Sequence, residues 1–79
     1  MNILYSKSSL KYLSKLNKDV RTSIVSAIDR LPVMGDIKKM RGRSLENLYR
    51  LRVGKYRVLF TWEKETIKIL DVDTRGDIY

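Results

Sequence analysis

Basic side chains are concentrated in one stretch, residues 38–57, and their chemistry suggests what this protein binds. The stretch holds eight of the 17 lysines and arginines but only one of the nine acidic residues, Glu46. The chain as a whole carries a formal net charge of +8, so nearly all of the excess lies here. A concentrated positive field attracts polyanions such as nucleic acid and makes their binding salt-dependent. The alternative is a solvated basic face without a partner. The basic residues are Lys38, Lys39, Arg41, Arg43, Arg50, Arg52, Lys55 and Arg57.

The composition argues against several other kinds of chemistry. The chain has no cysteine and no histidine, which removes disulfides, thiolate nucleophiles, cysteine-ligated metals and the commonest general base. It contains no glycine-rich phosphate loop, nucleophile elbow or zinc-protease motif. Asp71 and Asp73 are spaced as a carboxylate pair, but two acids without a third ligand indicate magnesium only weakly, and we interpret them as surface or counter-charge residues. We therefore expect no metal and no cofactor.

Two alternating segments predict a β-hairpin in the middle of the basic stretch. Residues 48–53 and 56–62 alternate between apolar and polar side chains, and Gly54 and Lys55 lie between them. A glycine at the first position of a two-residue loop favours a type II′ turn. With this turn, one face of the hairpin is apolar and packs on the rest of the protein. That face consists of Tyr49, Leu51, Val53, Tyr56, Val58, Phe60 and Trp62.

The opposite face of this hairpin would bring three arginines together. Arg52 lies directly opposite Arg57, and Arg50 follows on the same face. Directly opposed like charges destabilise a sheet, so the arrangement requires either a carboxylate or an anion beside the arginines. A guanidinium binds two phosphate oxygens at once and stays charged at neutral pH, which favours a phosphate site. The alternative is neutralisation by surface ion pairs with Glu46, Asp71, Asp73 or Asp77.

The remaining sequence predicts the elements that support the hairpin. An apolar strand at residues 1–5 precedes two helices, at about 7–16 and 18–31, with a break at Asn17. Pro32 ends the second helix, because proline disfavours helical geometry in the residue before it. Further strands are predicted at 37–40, 48–53, 56–62 and 66–72. The apolar stripe of the helices is formed by Leu10, Leu13, Leu16, Val20, Ile24, Ala27, Ile28 and Leu31.

This order predicts a single α+β domain over residues 1–79. It consists of an N-terminal strand, an antiparallel helix pair and a three- to four-stranded antiparallel sheet. No apolar run approaches the roughly 20 residues that a membrane-spanning helix needs, and the N-terminus lacks the apolar core of a signal peptide. We expect a cytoplasmic protein that does not engage a membrane.

The hairpin and the last residues resemble a known family. The string LYRLRVGKYRV at residues 48–58, the preceding DIKKM at 36–40 and the closing TRGDIY at 74–79 are similar to the RelE/ParE superfamily of toxins from prokaryotic type II toxin–antitoxin systems. The fold of that family, a strand, a helix pair and an antiparallel sheet, matches the predicted elements along the whole chain.

The resemblance implies one of two activities. RelE-like members are mRNA interferases, which cleave mRNA, usually in the ribosomal A site, and thereby inhibit translation and arrest growth. ParE-like members poison DNA gyrase and lack the basic and tyrosine set of the RelE-like active site. In this sequence the matching positions are all occupied, which favours a metal-independent endoribonuclease over a gyrase-directed toxin or an inactive binding module. They are Arg50, Arg52, Arg57, Arg75 and Tyr79.

The resemblance also implies a role for each position. Arg57 and Arg75 would bind the reacting phosphate, and Arg50 and Arg52 the flanking phosphates. Tyr79 is the candidate general base. Arg50 and Arg52 stand where the best-known members have lysines, so any proton transfer by a lysine is lost.

The residues around these positions carry further expectations. Glu46 is the alternative base. Contacts with RNA and the ribosome are expected from Lys38, Lys39, Arg41, Arg43 and Lys55. A cognate antitoxin, acidic and partly disordered when free, is the expected protein partner.

Overall fold

Five strands form one mixed sheet in the computed structural model, which describes residues 1–40 and 47–74. The order across the sheet is β1-β5-β4-β3-β2. The last four strands pair antiparallel, as expected, and the N-terminal strand adds a parallel neighbour at the edge beside β5. The strands are β1 (Asn2–Tyr5), β2 (Asp36–Lys39), β3 (Leu48–Val53), β4 (Tyr56–Glu63) and β5 (Thr66–Asp73).

Two helices, α1 (Lys7–Ser14) and α2 (Lys18–Asp29), connect β1 to β2. Each ends about two residues earlier than the periodicity predicts. The Ser6 hydroxyl accepts a hydrogen bond from the Ser9 N–H at 3.1 Å, and the Asn17 side chain accepts one from the Val20 N–H at 2.9 Å. Both side chains therefore satisfy an N–H of the first helical turn. Asn17 separates the helices because it begins the second one.

Side-chain hydroxyls attach α1 to β5. Ser6 donates to the Leu70 carbonyl at 2.9 Å, and buried Ser9 donates to the Ile69 carbonyl at 3.4 Å. The register between β4 and β5 shifts at this point, from Leu59 opposite Asp71 to Phe60 opposite Ile69. The two serines thus fix the first turn of α1 over the irregular part of β5.

The core lies between the helices and one face of the sheet. Ile24 and Ile28 of α2 are fully buried, as are Leu51, Val58 and Phe60 of the central hairpin. The apolar hairpin face predicted from the alternation is confirmed, since every member is buried or packs against the core. The Tyr49 ring stacks on Phe60 with the ring centres 5.6 Å apart and lies 5.5 Å from the Trp62 ring.

Leu10 is an exception to the predicted helical stripe. Its side chain is 54% exposed, whereas Ser9 and Leu13 face the core. Because Ser9 bonds to β5, α1 is rotated so that the position next to it turns outward. Among the described residues, no helix has the length and apolar character to cross a membrane.

The central hairpin has the predicted register. Val53 pairs with Tyr56, Arg52 with Arg57 and Leu51 with Val58. Gly54 adopts a φ of +59°. Lys55, the second loop residue, does not have a positive φ, since Lys64 is the only described non-glycine residue that does. A positive φ at the first loop residue but not at the second is the pattern of a type II′ turn.

At Gly35 the backbone fits closely against the core. Its φ is +127°, and a Cβ there would lie 2.7 Å from Cδ1 of the buried Leu51. Gly54 also has a positive φ, but no atom lies within 4 Å of its would-be Cβ. Both glycines have a φ that other residues rarely adopt, but only at Gly35 would a Cβ also overlap another atom.

We predict that Gly35→Ala lowers the free energy of unfolding by about 3 kcal/mol, because it adds overlap with Leu51 to an unfavourable φ. Gly54→Ala, the matched control, should cost only about 1 kcal/mol. Urea denaturation of both variants measures the difference. Equal losses would show that Gly35 is not constrained by Leu51.

Candidate functional site

The face of the sheet opposite the helices carries a row of charged residues across four strands. Asp36 of β2 lies opposite Arg52 of β3, Arg52 opposite Arg57 of β4, and Arg57 opposite Asp73 of β5. We call these four residues the charged row. Its two arginines are adjacent, at a Cβ separation of about 5 Å for directly opposed residues. The carboxylates stand at the two ends of the row, outside the arginine pair.

Arg50 extends this positive surface along β3. It lies two residues before Arg52, on the same face of the strand, and pairs with Lys38 on one side and Leu59 on the other. A cleft of about 250 Å³ beside it is lined by Lys38, Lys39, Met40 and Arg50. The charged row and this cleft together present several cationic groups to one side of the sheet, as the hairpin prediction required.

The three arginines differ in exposure and in their contacts. Arg52 is exposed, and its Nε donates to the Gly54 carbonyl at 3.4 Å. Arg57 is half-buried, and its Nη1 donates to the Thr74 carbonyl at 3.4 Å. The Nε of Arg57 is shielded from solvent and has no hydrogen-bond partner within the described part of the chain. Arg50 is also half-buried. A partly desolvated guanidinium such as Arg57 interacts more strongly with an anion than a fully hydrated one.

Lys55 lies apart from this group. It is exposed at the hairpin tip, and its Nζ lies 5.6 Å from the centre of the Tyr56 ring, which belongs to the helix-covered face. Lys38 and Lys39, by contrast, border the cleft beside Arg50. The structure thus brings Arg50, Arg52 and Arg57 together with Lys38 but not with Lys55. Lys39 is opposite Tyr49 and therefore lies on the helix-covered face of β2. The other sequence-predicted residues lie outside the described residues: Arg41, Arg43, Glu46, Arg75, Asp77 and Tyr79.

Two further neighbours of the arginines were missed by the sequence analysis. Asp36 closes the charged row next to Arg52, and Thr74 accepts the hydrogen bond from Arg57. The alternation around Lys38 places Asp36 on the same face, so extending β2 by one residue would have identified it. Thr74 contributes a backbone carbonyl, which no side-chain pattern reveals.

Tyr12 of α1 lies close to the same end of β5. Burial raises the pKa of its hydroxyl, the Thr74 side chain lowers it in part through a hydrogen bond, and the charges of Asp73, Tyr56 and Asp71 raise it further. Tyr5 of β1 likewise has a raised pKa, caused first by burial and then by Asp29. Both phenols are therefore neutral at physiological pH.

These shifts predict the alkaline stability of the fold. Above pH about 10 an unfolded tyrosine ionises while the folded one keeps its proton, so the native state binds more protons and the free energy of unfolding falls as pH rises. Between pH 9 and about 11 we expect Tyr5→Phe to lose less stability than the wild type. Urea titrations across this range measure both slopes. Parallel slopes would contradict a raised pKa for Tyr5.

Comparison with known proteins identifies the family. A family model described as the ParE toxin of type II toxin–antitoxin systems, parDE, matches residues 3–79. The chain belongs to the RelE/ParE superfamily of type II toxins. The family expected from the hairpin and the closing residues is thereby confirmed. A comparison with curated protein sequences found no significant match.

Solved structures of toxins in this superfamily share the fold. The RelB–RelE antitoxin–toxin complex from Methanococcus jannaschii contains a chain with 32% identity and a TM-score of 0.76, over 96% of this chain and 94% of that one. The RelBE2 toxin–antitoxin complex of Mycobacterium tuberculosis contains one with 28% identity and a TM-score of 0.74, over 94% and 96%. The isolated E. coli RelE toxin, at 20% identity, has the same fold with a TM-score of 0.73, over 99% and 89%.

Proposed function

We propose that this toxin is a metal-independent endoribonuclease that cleaves mRNA, bound in the ribosomal A site, and so stops translation. The observation that carries the proposal is the opposed pair Arg52 and Arg57. Arg50 lies on the same face of the sheet, the one opposite the helices, which we call the open face. Opposed like charges are unfavourable in the free protein. They become favourable when a phosphate lies between or beside them, because each guanidinium binds two of its oxygens.

The proposed reaction uses the nucleophile that RNA itself contains. The 2′-oxygen attacks the adjacent phosphorus, the 2′-O–P bond forms and the P–O5′ bond breaks. The products are a 2′,3′-cyclic phosphate and a 5′-hydroxyl. The 2′-hydroxyl proton passes to a general base, and the departing 5′-oxygen takes a proton from solvent. The protein must align the attack in line and stabilise the charge that accumulates on the phosphate.

Arg57 is the best-placed residue for binding the non-bridging oxygens of the reacting phosphate, because it is partly desolvated and its orientation is restricted by Thr74. Arg50 and Arg52 lie beside it on β3 and bind the flanking phosphates or stabilise the leaving oxygen. Arginines cannot act as bases at neutral pH. The family resemblance assigns the second phosphate-binding arginine to Arg75 and the base to Tyr79. Glu46, the only acid in the basic stretch, is the alternative base.

The lysines around the cleft serve a different step. Lys38 and Lys39 are exposed at the edge of the sheet, where they can contact the backbone of ribosomal RNA or of the message. The same role is proposed for Arg41, Arg43 and Lys55. Such contacts increase affinity and salt dependence without taking part in the reaction.

A cognate antitoxin is the proposed protein partner. The solved relatives from Methanococcus jannaschii and Mycobacterium tuberculosis are complexes of toxin with antitoxin. The positive open face of this sheet would be complementary to an acidic segment that is partly disordered when free and orders as it binds. Binding there would cover the arginines and inhibit the toxin. Once the antitoxin is lost, the free toxin would act in the cytoplasm.

A gyrase-directed toxin on the same fold is the second candidate, favoured by the ParE description of the matching family model. The two candidate functions differ in whether activity requires the arginines of the open face. For a gyrase inhibitor that does not cleave RNA, the arginines of the open face are individually dispensable, whereas the nuclease loses its reaction when Arg57 is removed.

We expect Arg57→Ala to reduce mRNA cleavage at least 100-fold, the usual cost of removing one transition-state donor. Arg30→Ala, an exposed arginine at the C-terminus of α2, is the matched control and should cleave within about twofold of wild type. Primer extension on a defined mRNA, with programmed ribosomes or without, measures both. Retained cleavage by Arg57→Ala would overturn the site. Absence of cleavage by a folded wild type that still arrests growth would support the gyrase alternative.

Tyr79→Phe should lower kcat about 100-fold or more, because a phenyl ring cannot take the 2′-hydroxyl proton. The KM for ribosome-bound mRNA should change little, since no phosphate contact is removed. Single-turnover cleavage with excess programmed ribosomes isolates the chemical step. An unchanged rate would transfer the role of base to Glu46, for which Glu46→Gln provides the corresponding test.

A further inference from the structure

A second polar cleft lies on the open face, at the other end of β4 from the arginine pair. It encloses about 280 Å³, and we call it the distal cleft. Thr61 of β4 pairs with Lys68 of β5 across its floor. The lining offers two ammonium groups and two hydroxyls as hydrogen-bond donors to an anion. It is formed by Thr61, Glu63, Lys64, Thr66 and Lys68.

The distal cleft and the arginine pair face the same side of the sheet. Val58 and Phe60 are fully buried against the helix layer, so the alternating residues Arg57, Leu59 and Thr61 face outward. Thr61 follows Arg57 by four residues, which is about 13 Å along a strand. A stacked nucleic-acid strand advances about 3.4 Å per nucleotide, so one bound at Arg57 reaches the cleft within about four nucleotides.

The lining also contains a carboxylate, but its position leaves the lysines accessible to an anion. Asn47 Nδ2 donates to Glu63 Oε1 at 3.3 Å. Asn47 lies on the β3 side of β4, where its carbonyl accepts from the Trp62 N–H, whereas Lys68 belongs to β5 on the other side. This contact holds one Glu63 oxygen on the side away from Lys68, and two lysines against one carboxylate leave the described lining with a net positive charge.

The backbone at Lys64 gives a second, independent indication. Lys64 has a φ of +54°, and Gly54 has a φ of +59° at the corresponding position of the central hairpin. Glycine adopts this left-handed conformation without the steric cost that a side chain incurs. The β4–β5 turn therefore contains a lysine where glycine would be more stable, and this lysine lines the cleft. Backbone strain at a charged residue favours a binding role over a role in the turn itself.

We propose that the distal cleft binds a backbone phosphate of the substrate RNA, within about four nucleotides of the phosphate bound at Arg57. The ammonium groups of Lys64 and Lys68 pair with the phosphate oxygens. Leu59, half-buried between the two sites, provides apolar surface that the face of a nucleobase covers. The inference rests on the proposed function for the identity of the RNA as substrate, but binding at the cleft can be measured without cleavage.

Fluorescence anisotropy with 2′-O-methyl oligoribonucleotides tests the cleft, because a blocked 2′-oxygen prevents cleavage. A hexanucleotide reaches from the arginines to the cleft, whereas a dinucleotide has one phosphate and does not. We expect Lys68→Ala to weaken hexanucleotide binding by up to about fivefold, the upper value for one exposed ion pair. Dinucleotide binding should stay unchanged.

The salt dependence of hexanucleotide binding counts the phosphate contacts. In Lys68→Ala the slope of log K against log salt concentration should become less negative by about 0.7, the value for one contact with a single strand. Lys11→Ala is the matched control, since it removes an exposed lysine from α1 in the helix layer. It should leave both the slope and the length dependence as in the wild type.

Two further variants separate binding from folding. Lys64→Gly should lower hexanucleotide affinity while the free energy of unfolding stays constant or rises, because glycine relieves the unfavourable φ. Glu63→Gln keeps an acceptor for Asn47 but removes the negative charge, so hexanucleotide affinity should increase. A loss of affinity in a variant as stable as the wild type cannot result from unfolding.

The outcomes distinguish the cleft from the nuclease, which Arg57→Ala tests on programmed ribosomes. If the wild type cleaves no mRNA but Lys68→Ala shows the length-dependent loss, the cleft binds RNA and only the nuclease function fails. If cleavage requires Arg57 but Lys68→Ala binds the hexanucleotide like Lys11→Ala, the nuclease stands and the cleft is overturned. A Lys68→Ala that loses affinity for a decaglutamate peptide but not for RNA would also overturn it, in favour of an acidic protein segment.

Discussion

The opposition of Arg52 and Arg57 across the central hairpin is the constraint on which the open face depends. Two guanidinium groups on neighbouring strands repel each other, at a cost of a few tenths of a kcal/mol to about 1 kcal/mol. The fold moderates this repulsion by placing Asp36 and Asp73 at the outer ends of the same row. Since neither carboxylate lies between the arginines, the centre of the row remains positive and can receive an anion.

The other face of the same strands holds this arrangement in register. Leu51 pairs with Val58 and Tyr49 with Phe60 on the helix-covered side, and Leu51, Val58 and Phe60 are fully buried. A shift by one residue would turn the apolar side chains outward and the arginines into the core. The burial of apolar surface therefore offsets the repulsion of the arginine pair, and the charged row is a consequence of the core on the other side.

The end of β5 is where the two layers of the protein meet. Arg57 donates a hydrogen bond to the Thr74 carbonyl from the open face, and α1 contacts β5 from the helix layer. Because α1 is attached to β5 by serine hydroxyls, the helix pair does more than cover the sheet. It anchors the strand that precedes the Thr74 carbonyl, to which Arg57 donates.

Much of this molecule follows from local patterns in the sequence. Alternation and the Gly54-Lys55 loop determined the hairpin register, because a two-residue turn leaves one pairing that keeps the apolar side chains on one face. They therefore also determined which arginines meet. Tertiary structure decided the parts that depend on separate elements docking together. Asp36 joins the row through the pairing of β2 with β3, and Leu10 turns outward because Ser9 bonds to β5. These contacts join residues far apart in the chain, and their geometry is set by packing and by backbone hydrogen bonds that no local period encodes.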